Sequence, residues 1–372
     1  MTAGTSAPLT VLHIDTERGW RGGERQALWL ATGLERIGHR SLVAARPGDP
    51  LATRAEENGL TVIPCAPVSE ADALAAFMLR RTVIKEGVQI VHAHTAHAVA
   101  LASLTILLTP AKMVLTRRVD FPLRRNIGTL WKYGRADGII AISRAVADVL
   151  VKSGIDRSRI DVVPSGVDLN RAIEPASRDS LAALGIPNDA PFVILVAALV
   201  PHKDPVTFVR AVFAARREVP SLHALIVGDG PLRSEVERAV TDNQLDDAVH
   251  FAGFREDADA LLAAADIVAL SSKEEGLGTV LMDALVLGRP VAATAAGGIP
   301  EIICHGSCGL LAPVGGAEAL GMAFVRILRD PALAAQLIKG GREQARQFSI
   351  ERTAERTAAV YERVLSAPAR PV

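Results

Sequence analysis

The sequence predicts an α/β fold made of two successive doubly wound, Rossmann-like domains, and three observations carry that reading. Short runs rich in Val, Ile and Leu alternate with longer Ala-, Leu- and Arg-rich stretches, the order expected when parallel strands alternate with covering helices. The alternation lapses once, after Asp168, and then restarts. At 372 residues the chain also exceeds what one hydrophobic core ordinarily supports, so two domains of about 150–200 residues are the natural division.

In the first half, strands are expected at Leu9–Ile14, Ser41–Ala45, Thr61–Cys65, Ile90–His94, Met113–Thr116, Gly138–Ile142 and Ile160–Pro164. Each is short, aliphatic or β-branched, and followed by a plausible helix or turn. Leu169 to Arg178 loses periodicity and reads as a connection. Second-half strands are expected at Phe192–Ala197, His223–Val227, Val249–Phe251, Ile267–Leu270, Val291–Thr294 and Gly309–Ala312. The tail places Ile350, Ala354, Ala358, Tyr361 and Leu365 at helical spacing, with Arg and Glu on the other face. The domains are therefore 1–170, 171–348, and a final helix in 349–372 packing back towards the first domain. Ligands are expected where strand carboxyl ends face each other across a cleft.

Composition narrows the function classes. Hydrophobic residues make up 49% and aromatic residues 4%, which suits Ala/Val/Leu helices packed on parallel sheets. Forty-one basic residues balance forty-one acidic ones, giving no reason to expect a nucleic-acid partner or polybasic membrane docking. Met1 to Thr10 has neither a basic nor an apolar leader segment, and the longest apolar stretches fall short of a bilayer span. The expectation is a cytoplasmic protein with at most peripheral membrane contact. Three cysteines cannot all pair within one chain, and Cys304, His305 and Cys308 lack a second ligand pair elsewhere.

Two glycine-rich segments carry the chemistry. Gly19-Trp20-Arg21-Gly22-Gly23-Glu24 follows the first strand and opens a helix, which suits either close backbone approach to an anion or simply a tight turn. It lacks the G-x-G-x-x-G spacing of a dinucleotide site. The second runs from Glu275-Gly276-Leu277-Gly278-Thr279-Val280 through Asp283 to Gly297-Gly298-Ile299-Pro300-Glu301. Glu275 precedes the helix and Asp283 lies about a turn and a half into it, so both carboxylates can face one pocket. Carboxylates accept hydrogen bonds from sugar and ribose hydroxyls, and the intervening amides suit a diphosphate. His92, His94 and His97 follow a strand without a nearby carboxylate or cysteine, so no metal site is expected there. Ser143 reads as a helix N-cap.

With these residues in view, the chain resembles the retaining family 4 glycosyltransferases of the GT-B fold. The donor signature of that family is a Glu, seven residues, a second acid, and a Gly-Gly-x-Pro-Glu run, similar to Glu275 through Glu301. The resemblance extends over Gly22-Gly23-Glu24, His92-Ala93-His94, Ala141-Ile142-Ser143 and Pro164-Ser165-Gly166-Val167-Asp168. It continues through His202-Lys203, Val227-Gly228-Asp229-Gly230-Pro231-Leu232, Gly253-Phe254, Phe348-Ser349 and Tyr361.

The resemblance implies a nucleotide-diphosphate-sugar donor, an acceptor hydroxyl, no cofactor and no metal. It implies that Glu275 holds the transferred sugar and that Lys203 neutralises the donor phosphates, aided by amides of Leu277, Gly278, Thr279 and Val280. It places Asp283 at the ribose, Gly228 and Gly230 along the nucleotide, the backbone of Phe254 and Arg255 at the base, and His94 at the donor sugar or acceptor. Gly22 and Gly23 join the donor-binding set. Two departures stand out: Asp283 is one methylene shorter than the usual Glu, and Ala198 replaces an arginine that ordinarily assists the lysine. Arg21, Arg117 and Arg118 are candidates to supply the missing charge. Between Lys112 and Arg135, seven basic residues stand against Asp120 alone. Such a cluster is either a solvated face or a site for an anionic glycan or glycolipid such as a lipopolysaccharide core, with Arg117, Arg118, Arg124 and Arg125 as acceptor ligands. A nucleotide-sugar epimerase, a phosphorylase and a non-catalytic nucleotide-sugar-binding subunit are the rival functions.

Overall fold

A computed structural model describes residues 7–123 and 127–367, apart from the side chains of residues 127 and 130. The chain divides into two compact units. The first comprises Met1–Asp168 with Ser349–Val372 and the second Leu169–Phe348.

The first unit holds a seven-stranded sheet of β1 (Thr10–Ile14), β2 (Arg40–Ala45), β3 (Thr61–Pro64), β4 (Ile90–Ala93), β5 (Lys112–Arg117), β6 (Gly138–Ala141) and β7 (Ile160–Val162), ordered β3-β2-β1-β4-β5-β6-β7. The second holds β8 (Phe192–Val196), β9 (His223–Val227), β10 (Val249–Gly253), β11 (Ile267–Leu270), β12 (Val291–Thr294) and β13 (Leu310–Ala312), ordered β10-β9-β8-β11-β12-β13. Every pairing is parallel. Because helices cover the sheet faces, the strands are mainly apolar: Val11, Leu12 and Ile14 of β1 are all fully buried. Each such side chain contributes about 1.5–3 kcal/mol by leaving water. This is the α/β class read from the sequence. The differences are at strand ends: β4 stops at Ala93 and β8 at Val196, so His94 and Ala197 lie in the loops that follow.

In each sheet the winding direction reverses once, between β1 and β4 in the first unit and between β8 and β11 in the second. At such a reversal the connecting helices leave to opposite faces and open a crevice at the strand carboxyl ends. These two places position the polar residues described below.

The helix Ile350–Ser366 is capped by Ser349 and packs within the first unit. Its Ala354 lies so close to Gly33 that a Cβ there would sit 3.1 Å from the alanine methyl. Tyr361, fully buried, joins a core with Leu30, Leu34, Val114 and Ile140. Among the described residues no helix is long and apolar enough to cross a membrane.

Candidate active site

At the reversal in the second unit, the loops after β8 and β11 are tied together by their backbones. The amides of Lys273 and Glu274 both donate to the His202 carbonyl, at 2.8 and 3.2 Å. Ser271 Oγ donates to the carbonyls of Lys203 and Asp204 at 3.1 and 2.8 Å. This frame brings the Lys203 ammonium onto Glu275 Oε2, an oxygen that also accepts from Ser272 Oγ at 3.1 Å. Glu275 is only 8% exposed, and its carbonyl accepts from the Gly298 amide at 2.8 Å. Here lysine and carboxylate, distant in sequence, form one paired unit.

Beside the pair begins the helix Thr279–Val286, whose N-cap Gly278 has φ +84°, a left-handed conformation that favours glycine. A Cβ on Gly278 would lie 3.6 Å from Glu275 Cγ, so the carboxylate and the helix start are neighbours. The first-turn amides of a helix have no intrahelical acceptor, and the dipole makes that end electropositive. Leu277 is buried beneath this turn, while Thr279 and Val280 are half-buried.

Asp283 does not share these partners. It is 1% exposed and faces Arg171, whose guanidinium lies 3.4 Å from Asp283 Oδ1 and 3.0 Å from Asp259 Oδ2. Glu275 and Asp283 are thus each buried against a different cation, Lys203 and Arg171.

Gly228 and Gly230 answer to the backbone itself. A Cβ on Gly228, at φ +131°, would collide with the Ala197 carbonyl oxygen, and one on Gly230 would lie 2.5 Å from that of Leu199. These glycines let the loops after β8 and β9 pack edge to edge, reinforced by Leu199 N donating to Asp229 O at 3.0 Å. Phe254 is 66% exposed, and Arg255 is held by a two-pronged contact with Asp257 at 2.8 and 2.7 Å. Ala198 is exposed.

At the reversal in the first unit, His94 follows β4 and Asp15 follows β1. The Asp15 amide donates to Ala44 O and that of His94 to Ile14 O, each at 3.1 Å. His94, which the resemblance places at the donor sugar or acceptor, is 3% exposed. Its Nε2 shares a hydrogen bond of 2.9 Å with His13 Nδ1, and its Nδ1 meets an Arg118 guanidinium nitrogen at 3.1 Å. His92 uses both nitrogens, towards the Tyr361 hydroxyl at 2.6 Å and Thr116 Oγ1 at 2.7 Å. His13, His92 and His94 thus form a buried cluster with one ring nitrogen of each within 4.8 Å of the others. Five of their six nitrogens are hydrogen-bonded, which leaves the set poorly disposed to bind a metal. Burial holds His13 at about 3 and keeps His92 and His94 well below the usual imidazole range, so the cluster is uncharged.

Around it stand charged groups. Burial, reinforced by Glu24, pushes the Asp15 carboxyl up to about 7. Burial also pulls Arg118 down to about 10, opposed by Asp15 and Glu24. Glu24 caps the helix Gly22–Arg36, its Oε2 accepting from the Arg21 amide at 2.8 Å. A Cβ on Gly23 would meet nothing within 4 Å, so the fold itself does not require a glycine there.

The basic cluster is largely engaged internally. Arg117, 8% exposed, donates to the carbonyls of Val119 at 3.2 Å and Phe121 at 2.7 Å and lies 5.0 Å over the Phe121 ring. It holds its own loop, which corrects its assignment as an acceptor ligand. Arg118 is half-buried on His94 and Ser165, and Lys132 pairs with Glu70. Arg124 and Arg125 lie outside the described residues. His13, Asp15, Ser272 and Arg171 were missed in the sequence. Asp15 could have been noticed as the carboxyl directly between the first strand and the glycine turn.

Comparison with known proteins agrees with this architecture. The profile of the family described as glycosyl transferases group 1 matches residues 177–344, and that described as glycosyltransferase family 4 matches residues 20–171. A 2-deoxystreptamine glucosyltransferase of Streptomyces kanamyceticus is 34% identical over 255 residues, covering 67% of this chain and 66% of the relative. A D-inositol 3-phosphate glycosyltransferase of Saccharomonospora viridis is 32% identical over 295 residues, covering 76% and 66%. The matched region thus spans 66% of the length of each of these curated relatives. Among solved structures, Anabaena Alr3699/HepE in complex with UDP superposes with a TM-score of 0.80 at 22% identity, covering 95% of this chain and 100% of that one. With a family profile on each half, the chain belongs to the GT-B glycosyltransferases of group 1.

Proposed function

We propose that the chain transfers a sugar from a nucleotide-diphosphate-sugar donor to a hydroxyl of a glycan or glycolipid acceptor, with retention of configuration. The observation that carries this reading is the Lys203–Glu275 pair beside the helix N-terminus at Gly278, at the winding reversal of the second unit. An ammonium and free amides suit a diphosphate, and a buried carboxylate suits sugar hydroxyls.

In this reading Lys203 and the amides of Leu277 to Val280 stabilise the departing diphosphate, and Glu275 orients the sugar. Gly228, Gly230, Phe254 and Arg255 line the nucleotide, and Asp283 addresses the ribose jointly with Arg171. The anomeric carbon–phosphate oxygen bond breaks and a bond to the acceptor oxygen forms on the same face, while the acceptor proton passes to the departing phosphate. No covalent enzyme nucleophile or divalent ion takes part. Gly22, Gly23 and His94 are the first unit's contribution. The names of the two relatives contain hydroxyl-bearing ring compounds, which supports a hydroxyl acceptor. An anionic acceptor met at the cytoplasmic membrane face is the finer form, and it rests on Arg118 with Arg124 and Arg125. Titration with GDP-, UDP- and ADP-sugars, followed by assay of released nucleotide diphosphate with and without acceptor and with EDTA, tests the proposal. Absence of donor binding across the panel overturns it.

A further inference from the structure

Two of the three cysteines stand in a single turn of the second unit, with His305, Gly306 and Ser307 between them. The Cys304 carbonyl accepts from the Ser307 amide at 3.0 Å and from the Cys308 amide at 3.1 Å, closing a turn in which Gly306 takes φ +78°. Cys308 folds back over the start of that turn. Its Sγ accepts from the Cys304 amide at 3.1 Å and faces the carbonyls of Ile302 and Cys304 at 3.7 and 3.8 Å. With an N–Cα bond of about 1.46 Å, this sulfur lies no more than about 4.6 Å from Cys304 Cα. The turn is held from outside by the helix Pro331–Ala345: Gln336 and Gln344 donate to the carbonyls of Gly306 and Ile302, each at 3.0 Å. Gly340 of that helix packs so near that a Cβ there would collide with the Ser307 carbonyl oxygen. Cys304 is exposed and Cys308 buried, and both line a hollow of about 300 Å³. Burial pushes the Cys308 thiol up to about 11; the Cys304 amide opposes that rise and the Cys304 thiol adds to it, so the two sulfurs are electrostatic neighbours. Cys65, by contrast, is buried in the first unit.

We propose that Cys304 and Cys308 are a reversible thiol–disulfide site, at which a low-molecular-weight disulfide such as oxidised glutathione is reduced while an intrachain disulfide forms. Exposure makes Cys304 the attacking thiol. Its thiolate bonds to one sulfur of the reagent and breaks the reagent's S–S bond; the other half leaves, takes up the proton and becomes a free thiol. The mixed disulfide on Cys304 has the hollow to occupy. Cys308 then gives up its proton and attacks Cys304 Sγ, expelling the second thiol. Two electrons pass from the protein pair to the reagent, and both protons end on the departing thiols. A disulfide needs Cα atoms about 4.4–6.8 Å apart, and a turn closed between residues i and i+4 keeps them at about 6 Å. The clamped turn raises the effective concentration of one sulfur at the other. A bond across only three intervening residues is tight, which places it among the readily reduced disulfides. The site owes nothing to Lys203, Glu275 or the transfer reaction.

The test uses the full chain, reduced, then equilibrated with mixtures of reduced and oxidised glutathione, quenched in acid, alkylated and read by mass spectrometry. The peptide carrying Cys304 and Cys308 is expected to become two hydrogens lighter, to escape alkylation without bound glutathione, and to regain both thiols on reduction. Cys65 is expected to be alkylated once the chain is unfolded. Cys304→Ser, a change at an exposed position, abolishes the intrachain bond. Cys308→Ser traps glutathione on Cys304 roughly ten-fold or more above wild type, because the resolving thiol is gone. Should Cys308→Ser fail to fold, the wild-type chain decides alone. A wild-type chain that accumulates the glutathione adduct on Cys304, links to a second copy through Cys304, or keeps both thiols reduced in oxidised glutathione overturns the proposal.

Discussion

Lys203 rests on the very oxygen of Glu275 that Ser272 also serves, so the two charges form one electrostatic unit, built from loops tied together at the His202 carbonyl. Lys203→Ala is therefore expected to lower turnover by about two to three orders of magnitude, the scale of losing a charge-stabilising donor. Glu275→Gln is expected to lower transfer comparably yet leave affinity for the bare nucleotide diphosphate within a few-fold, because its partner is the sugar. Steady-state kinetics and diphosphate titration distinguish them. A collapse of diphosphate affinity in Glu275→Gln would reassign the carboxylate.

Arg171 and Asp283 make a second buried pair with a different test. Removing Arg171 takes the cation from the buried Asp283 and should destabilise by about 1–3 kcal/mol, whereas Asp283→Ala leaves Arg171 its contact with Asp259 and should cost less. The double variant Arg171→Ala with Asp283→Ala should recover part of that loss in denaturant unfolding. Strict additivity would show that the pair contributes no coupling. Asp283→Glu, which adds a methylene against Arg171, is expected to cost stability by overpacking unless the arginine yields, and its effect on nucleotide affinity reports the ribose role.

Arg117 and Arg118 are adjacent in sequence but differ in consequence. Arg117→Ala should lower the melting temperature by several degrees, about 1–2 kcal/mol, and leave acceptor KM unchanged, since its hydrogen bonds all serve residues 119 to 133. Arg118→Ala should raise acceptor KM in a salt-dependent way if the acceptor is anionic. The reverse pattern would restore Arg117 as a ligand.

Stability is expected to fall in acid. The buried imidazoles of His13, His92 and His94 are held below 6.5, so the unfolded chain takes up protons there that the fold refuses. Their stabilisation is complete above about pH 6.5 and is lost below it. Asp15, held up near 7, acts the other way between about 7 and 4, because the fold takes its proton first. Three groups oppose one, so the net effect between about pH 7 and 4 is a loss of stability in acid. Urea midpoints at pH 5 and 7.5 measure it, and equal midpoints would contradict the burial of the cluster.

The strand pattern was legible because parallel strands buried on both faces read as unbroken aliphatic runs, and every such run from Leu9 to Ala312 became a strand. Ser143 was legible as a cap, and its Oγ accepts from the Val146 amide at 3.0 Å. What was not legible depends on pairing at a distance. Nothing near Lys203 in sequence announces Glu275, and nothing near Asp283 announces Arg171. Arg117 looked available because a basic run carries no sign of which members turn inward; only the carbonyls at Val119 and Phe121 decide that. Gly228 and Gly230 suggested a ligand, whereas the neighbouring loop at Ala197 and Leu199 already demands them.

The first unit is completed only by Ile350–Ser366, the helix that brings Tyr361 to His92. During synthesis, the whole of Leu169–Phe348 leaves the ribosome before that helix does. The second unit, contiguous in sequence, is thus free to close first, reversing the usual order in which the N-terminal domain leads. Meanwhile Leu30, Leu34 and Val114 present an uncovered apolar seam, a natural target for chaperones. A stop or frameshift ahead of Ile350 would accordingly injure the first unit, although every strand of that unit precedes it in sequence.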